Sequence, residues 1–331
     1  MIDGEVDGSG ASASARGGER PDRKTLWLIP GAHKTGSTTV QNIFDNNVGS
    51  LRKLGIHYVD REIFYKSDLR KYLVREDGAN ADIPRHKAEA SLLDITGHVG
   101  KSSTSVIFIE NVFGEPLYGI RSQPRWNPKI YPDFESAAEK FYTLAGAHYN
   151  IRCAYFIRRQ DSFIESLYTH FVYRGFLSSE TEFLPLLIGS DLSWNSNVSI
   201  LRGMATDGNV GIVPFELLRR GDKAYLEYIL DKLEITTDTS SWDLSARDNR
   251  SLSKAGMEIA HAVYPHLGAD ERRRFFSNVR RHFNTGTGNR YSMFSPAMRR
   301  SLVKQYYPQN QLLLEGAGVD GDIVKEYGDC E

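Results

Sequence analysis

The residues best able to do chemistry fall in one short stretch, Gly31-Ala32-His33-Lys34-Thr35-Gly36-Ser37-Thr38-Thr39, entered from the apolar run at residues 25–29. Glycine, serine and threonine placed after a strand let several backbone N–H groups and hydroxyls converge on one anion. A helix that begins there turns its positive end toward the same point. Gly31 and Gly36 stand at the spacing of a nucleotide-phosphate loop, yet position 37, where such a loop carries its lysine, holds serine. The lysine is Lys34, inside the loop. From there an ammonium leans over the bridge of an anhydride while residues 36–39 grip the phosphate. That suits transfer of a group carrying little charge, sulfuryl rather than phosphoryl.

A second constellation lies in Ile157-Arg158-Arg159-Gln160-Asp161-Ser162-Phe163-Ile164-Glu165-Ser166. A strand through Ile157 brings Arg158 to its carboxyl end. Asp161 or Ser162 then opens a helix with Phe163, Ile164, Leu167 and Phe171 on one face, and Ser166 follows about one turn in. An arginine fork and a serine hydroxyl eight residues on can hold one phosphate between them. Arg159 competes for that role, and a solvated Arg-Arg pair is the plain structural reading.

The elements that must position these groups follow a βα rhythm. Ser37 is expected to cap a helix carrying Val40, Ile43, Phe44, Val48 and Leu51. Residues 55–59 read as a short strand, 65–76 and 85–98 as helices, and 105–110 as a buried strand ending on Glu110. Residues 111–131 lack periodicity but hold Tyr118, Arg121, Trp126 and Tyr131, the makings of a lid or substrate surface as much as of a proline-braced excursion. Helix 134–147, a strand at 209–213 leading into Phe215-Glu216, and helices near 252–264 and 270–283 complete the pattern. Ser295-Pro296 opens a closing helix, with Leu312–Leu314 beyond Pro308. The arginines of 270–283 (Arg272, Arg273, Arg274, Arg280, Arg281) read as a solvated face. Glu110 is the candidate base, with His33 and His170 as alternatives; His33 also suits a role in orienting the loop.

Composition excludes several classes. A net charge of −1 argues against bulk electrostatic binding of nucleic acid or anionic membrane, so any anion site is local. Two cysteines, Cys153 and Cys330, make no disulfide framework, which suits a reducing, cytoplasmic setting. No run approaches the roughly 20 apolar residues of a membrane span. Residues 1–24 read as a disordered leader and 25–331 as one α/β domain with a helical C-terminal part from about 250.

Taken together, the Lys34 loop and the Arg158/Ser166 pair resemble the phosphosulfate loop and 3′-phosphate strand and helix of bacterial carbohydrate-type sulfotransferases. These use 3′-phosphoadenosine 5′-phosphosulfate (PAPS). The likeness spans most of the chain from residue 25. It implies a P-loop NTPase-like fold, a central parallel sheet flanked by helices. It implies PAPS as donor, 3′-phosphoadenosine 5′-phosphate (PAP) as product, and a hydroxyl or amine acceptor, with a carbohydrate expected, reacting in line without metal. On this likeness the donor is held by Lys34, Thr35, Gly36, Ser37, Thr38, Thr39, Arg158 and Ser166. Phe215 lies beside the adenine, and Arg250, with Lys254, belongs to a basic closing loop. Lys34, Glu110 and His33 are then the catalytic candidates. Val40 stands where many cytosolic members carry an adenine-stacking tryptophan, and their Arg-Lys-Gly closing motif is absent. A divergent P-loop kinase using ATP and Mg²⁺, with Glu110 anchoring the metal, and a catalytically silent nucleotide binder are the other functions these residues allow.

Overall fold

Five short runs rich in Val, Ile, Leu and aromatic residues become strands: β1 (Lys24–Ile29), β2 (Ile56–Tyr58), β3 (Thr104–Phe108), β4 (Tyr149–Ile157) and β5 (Val210–Pro214). In the computed structural model, which describes residues 22–74, 83–98, 100–118, 123–245 and 250–329, they form one sheet in the order β2-β3-β1-β4-β5, every pair parallel. Helices cover both faces, so the central strands are buried on both sides: residues 26–29 of β1 and 105–108 of β3 are buried throughout. Residues 1–21 of the expected leader and Cys330 lie outside the described residues.

Strand order is what assembles the site. β1 lies between β3 and β4, with Ile29 opposite Phe108 and Leu28 opposite Cys153. The loop after β1, the segment after β3 and the segment after β4 therefore emerge side by side. The connection leaving β1 runs toward β2 and the one leaving β3 runs the opposite way toward β4, and open parallel sheets bind ligands at such an edge.

Several expected boundaries move for local reasons. The expected helix 65–76 is two helices, Arg61–Lys66 and Asp68–Leu73, because the Ser67 hydroxyl accepts the Arg70 N–H and starts a new turn. β3 ends at Phe108, so Glu110 sits two residues past the strand. The closing helix, by contrast, runs through Pro308 as expected: Pro296–Gly316 buries Tyr306, Asn310, Leu313 and Leu314. That burial outweighs the hydrogen bond proline forfeits. No helix among the described residues is long and apolar enough to cross a membrane.

Candidate functional site

The loop of residues 30–36 is stitched to both neighbouring strands. Gly31 N–H donates to the Glu110 carbonyl (3.3 Å) and Ala32 N–H to that of Phe156 (3.0 Å). Thr35 is fully buried, and its hydroxyl donates back to the Ala32 carbonyl (2.5 Å). It braces the loop and does not line the cleft, contrary to the expectation that it touches a ligand. Lys34 takes a left-handed backbone conformation (φ 66°), uncommon for a residue with a side chain and a mark of a site that over-determines its geometry.

Gly36, not Ser37, occupies the N-cap of the helix Ser37–Asn46, with φ 77°. Ser37 is the first helical residue, and its hydroxyl donates to Glu110 Oε2 at 2.5 Å instead of capping. The first-turn N–H groups of Ser37 and Thr38 have no carbonyl four residues back in the helix, and both residues face the cleft. A Cβ at position 36 would lie 3.1 Å from Phe215 Cδ2 in a backbone conformation that L-residues avoid. Gly36→Ala is expected to cost about 1–2 kcal/mol in denaturant unfolding and to push Phe215 out of place. Unchanged stability would mean the loop is looser than drawn.

A cleft of about 660 Å³ opens over this edge. The loop contributes His33, Lys34, Gly36, Ser37, Thr38 and Thr39. The neighbouring strands contribute Glu110 and Arg158, and the helix Gln160–Tyr173 contributes Ser166, Thr169 and His170. Phe215 and Leu218 supply apolar surface. The sequence thus named most of one wall.

Arg158 and Arg159 part company. Arg158 Nη1 donates to the Lys34 carbonyl (2.6 Å) and Nε to Ser162 Oγ (2.8 Å), with its guanidinium 4.1 Å from the centre of the Phe215 ring. Arg159 turns away to Asp161 (2.7 Å) and the Glu326 carbonyl (2.7 Å). Arg158 is therefore the cleft arginine, and Arg159 fastens the C-terminal helix. Glu216 lies buried behind Phe215 and accepts the Arg159 N–H (3.2 Å).

The opposite wall was not foreseen. It comes from the C-terminal helical part: Arg250, Arg280, Thr285, Arg290 and Tyr291. Arg280 departs from the expected solvated face. Phe276 and Val279 bury their side of the helix Ala269–His282, which brings Arg280 onto the Tyr173 ring at 4.6 Å. Arg250 fits because residue 286 is glycine; a Cβ there would collide with its guanidinium. Lys254 is exposed and lines nothing, and residues 246–249 lie outside the described residues. No described residue of 111–131 lines the cleft. Trp126 instead donates to the Ile188 carbonyl (2.8 Å), and Ser190 donates to the Asn127 carbonyl (2.6 Å). Arg121 lies outside the described residues. Of the described residues of this stretch, Tyr131 reaches the site from behind, through His33.

Burial and like charge set the electrostatics. Burial pushes the Lys34 ammonium down to about 8; Glu110 opposes this, while Arg158 and Arg280 reinforce it. Burial, then Arg290, depresses Arg158. Burial likewise lowers His33, and it lowers His170 further, with the charge of Lys34 next in effect. The Tyr131 hydroxyl accepts the His33 backbone N–H (2.7 Å) and lies 3.2 Å from His33 Nδ1. Its own proton has no other acceptor among the described residues, so the network assigns the ring proton to Nε2. That nitrogen is buried, without a protein partner. Such a site has the charge and the donors to take an anion between Lys34 and Arg158. Among the described residues no group of three or more His, Cys, Asp or Glu side chains is placed to hold a metal ion. No protein-family model matches the chain, and a search of curated proteins finds no match.

Proposed function

We propose that this protein is a PAPS-dependent sulfotransferase of P-loop NTPase-like fold, acting on a hydroxyl or amine of a carbohydrate. One observation carries the reading: the Lys34 loop and Arg158 meet in a single cleft, with Arg158 Nη1 2.6 Å from the Lys34 carbonyl. Two cationic grips that close together suit one ligand with two anionic groups. The residues present fit such a ligand, since Lys34 has no ion pair among the described residues and His33 Nε2 has no protein partner. On this reading residues 36–39 hold the 5′-phosphate, Arg158 and Ser166 the 3′-phosphate, Phe215 the base, and Arg250 closes the site.

PAPS supplies the sulfuryl group when bound, and PAP leaves. Every other part belongs to the chain. Glu110 accepts the acceptor's proton at Oε1, since Oε2 is held by the Ser37 hydroxyl. Lys34 stabilises charge developing on the bridging oxygen as the new O–S bond forms and the old one breaks. His33, carrying its proton on Nε2, donates a hydrogen bond into the cleft and is not the base. The kinase reading is weaker, because Ser37 stands where its lysine belongs and is occupied with Glu110.

Calorimetry with PAP in EDTA tests the reading. Wild type is expected to bind, and Arg158→Ala to bind about 30–100-fold more weakly, the loss of a charge-assisted pair. Binding of ATP with Mg²⁺ but not of PAP would overturn it.

A further inference from the structure

We infer that the acceptor carries an anion of its own, a carboxylate or sulfate ester close to the group that receives sulfuryl, and that Arg280 binds it. This inference rests on the proposed donor site and concerns what sits beside the donor.

The first observation is how the fold treats its arginines. Several away from the cleft are matched to acids: Arg159 and Arg299 to Asp161, Arg61 to Asp45, Arg219 to Glu326, Arg220 to Asp320. Arg272, half-buried against Tyr264 without an acid, donates instead to the Leu267 carbonyl (3.1 Å) and the Tyr264 hydroxyl (3.0 Å). Arg280 is half-buried and Arg290 borders the same cleft, yet neither has an ion pair among the described residues. The cleft offers two carboxylates. Glu165 is committed to Arg299 (2.6 Å), Ser292 (3.0 Å) and the Met293 N–H (3.0 Å), and Glu110 to Ser37. A half-buried guanidinium without a counter-charge is costly unless a ligand supplies one.

The second observation is position along the cleft. Arg290 stands at the Arg158 end, where its charge weighs most on that guanidinium after burial. Arg250 belongs to the same end, since its segment is bridged to Arg290 through Ser253 and to Asn284 through Leu252. Arg280 stands at the other end, over Tyr173, the last residue of the helix that Arg158 precedes, with the Tyr173 and His170 ring centres 6.3 Å apart. The donor's phosphates are matched by Arg158 and the cations around it; Arg280 borders the place where the transferred group would emerge. Its guanidinium carbon lies 4.6 Å from the centre of the Tyr173 ring, and no carboxylate among the described residues takes up its fork, the group suited to a two-pronged contact with a carboxylate or sulfate.

The test uses protein saturated with PAP and three probes: a glucuronate-containing tetrasaccharide, its carboxyl-reduced counterpart, and that reduced sugar carrying one sulfate ester. At least one anionic probe is expected to bind ten-fold or more tightly than the neutral one, and which does so separates carboxylate from sulfate recognition. Arg280→Gln is expected to remove the preference while PAP binding stays within two-fold of wild type. Arg280→Lys, keeping charge without the fork, should retain part of the preference. Equal binding of the three probes, no binding of any, or a preference surviving in Arg280→Gln overturns the inference. So does a large loss of PAP affinity in both variants, which would move Arg280 into the donor site. Failure of wild type to bind PAP at all is a separate result, against the donor reading itself.

Discussion

On the proposed reading, Lys34→Ala is expected to lower kcat by about 10²–10³-fold, the range for losing one preorganised charge at a developing oxyanion, while PAP binding is expected to weaken by no more than about ten-fold. The asymmetry is the point. On that reading, ground-state grip is shared with residues 36–39 and Arg158, which line the same cleft, whereas Lys34 is the group that meets charge appearing during transfer. Its pH dependence follows from its burial. With its pKa down at about 8, Lys34 is charged below that pH and neutral above it. Therefore kcat/KM of wild type falls as pH rises through about 8, and that descending limb is missing in the variant. Stability of the unliganded protein runs the other way. Between about 8 and the ordinary 10.5 the unfolded chain binds the proton that the folded one has lost, so Lys34's contribution to stability grows with pH there. A bound anion reverses this by raising the pKa again. A variant with wild-type turnover and an intact alkaline limb would take Lys34 out of the chemistry.

What could be read beforehand was local. Gly31, Lys34 and Gly36 form a pattern of adjacent residues between a strand and a helix, and Arg158 ends an apolar run, so both were visible without knowing the fold. That they would share a cleft was not visible. It depends on β1 lying between β3 and β4, which no single segment encodes. Side-chain direction was equally hidden. Thr35 and Thr38 look alike in the loop, but only the first turns inward, to the Ala32 carbonyl. Among five arginines on one helix, Arg280 is singled out by the way Phe276 and Val279 bury that helix and bring it to Tyr173. The aromatic stretch around Trp126 left a lid and a proline-braced excursion equally open for the same reason: its docking on Ile188 and Ser190 is a tertiary fact.

Arg299→Ala is expected to cost about 3 kcal/mol in unfolding free energy, the low end for breaking a buried ion pair. Arg299 reaches two carboxylates on the helix Gln160–Tyr173, Asp161 and Glu165, whose side chains are 0% and 4% exposed. Removing it strands Glu165, while Asp161 keeps Arg159 at 2.7 Å, which is why the loss stays below the upper end of the range. Burial alone would raise the Asp161 carboxyl, but Arg159 and Arg299 outweigh it and hold the carboxyl below its ordinary 3.8. The stability this gives is full above that pH and is lost as pH falls through the lowered value. Wild-type stability therefore drops steeply below about pH 4, and Arg299→Ala, starting lower, drops less. Glu165 also holds the Ser292 hydroxyl and the Met293 N–H, next to Tyr291 in the cleft wall, and it precedes Ser166. The variant should accordingly weaken PAP binding without touching the nucleotide. Pairing Arg299→Met with Glu165→Gln removes the stranded charge along with its partner, so the double variant recovers part of the lost stability but not the lost affinity. A single variant within 1 kcal/mol of wild type would show that solvent, not this network, carries those charges.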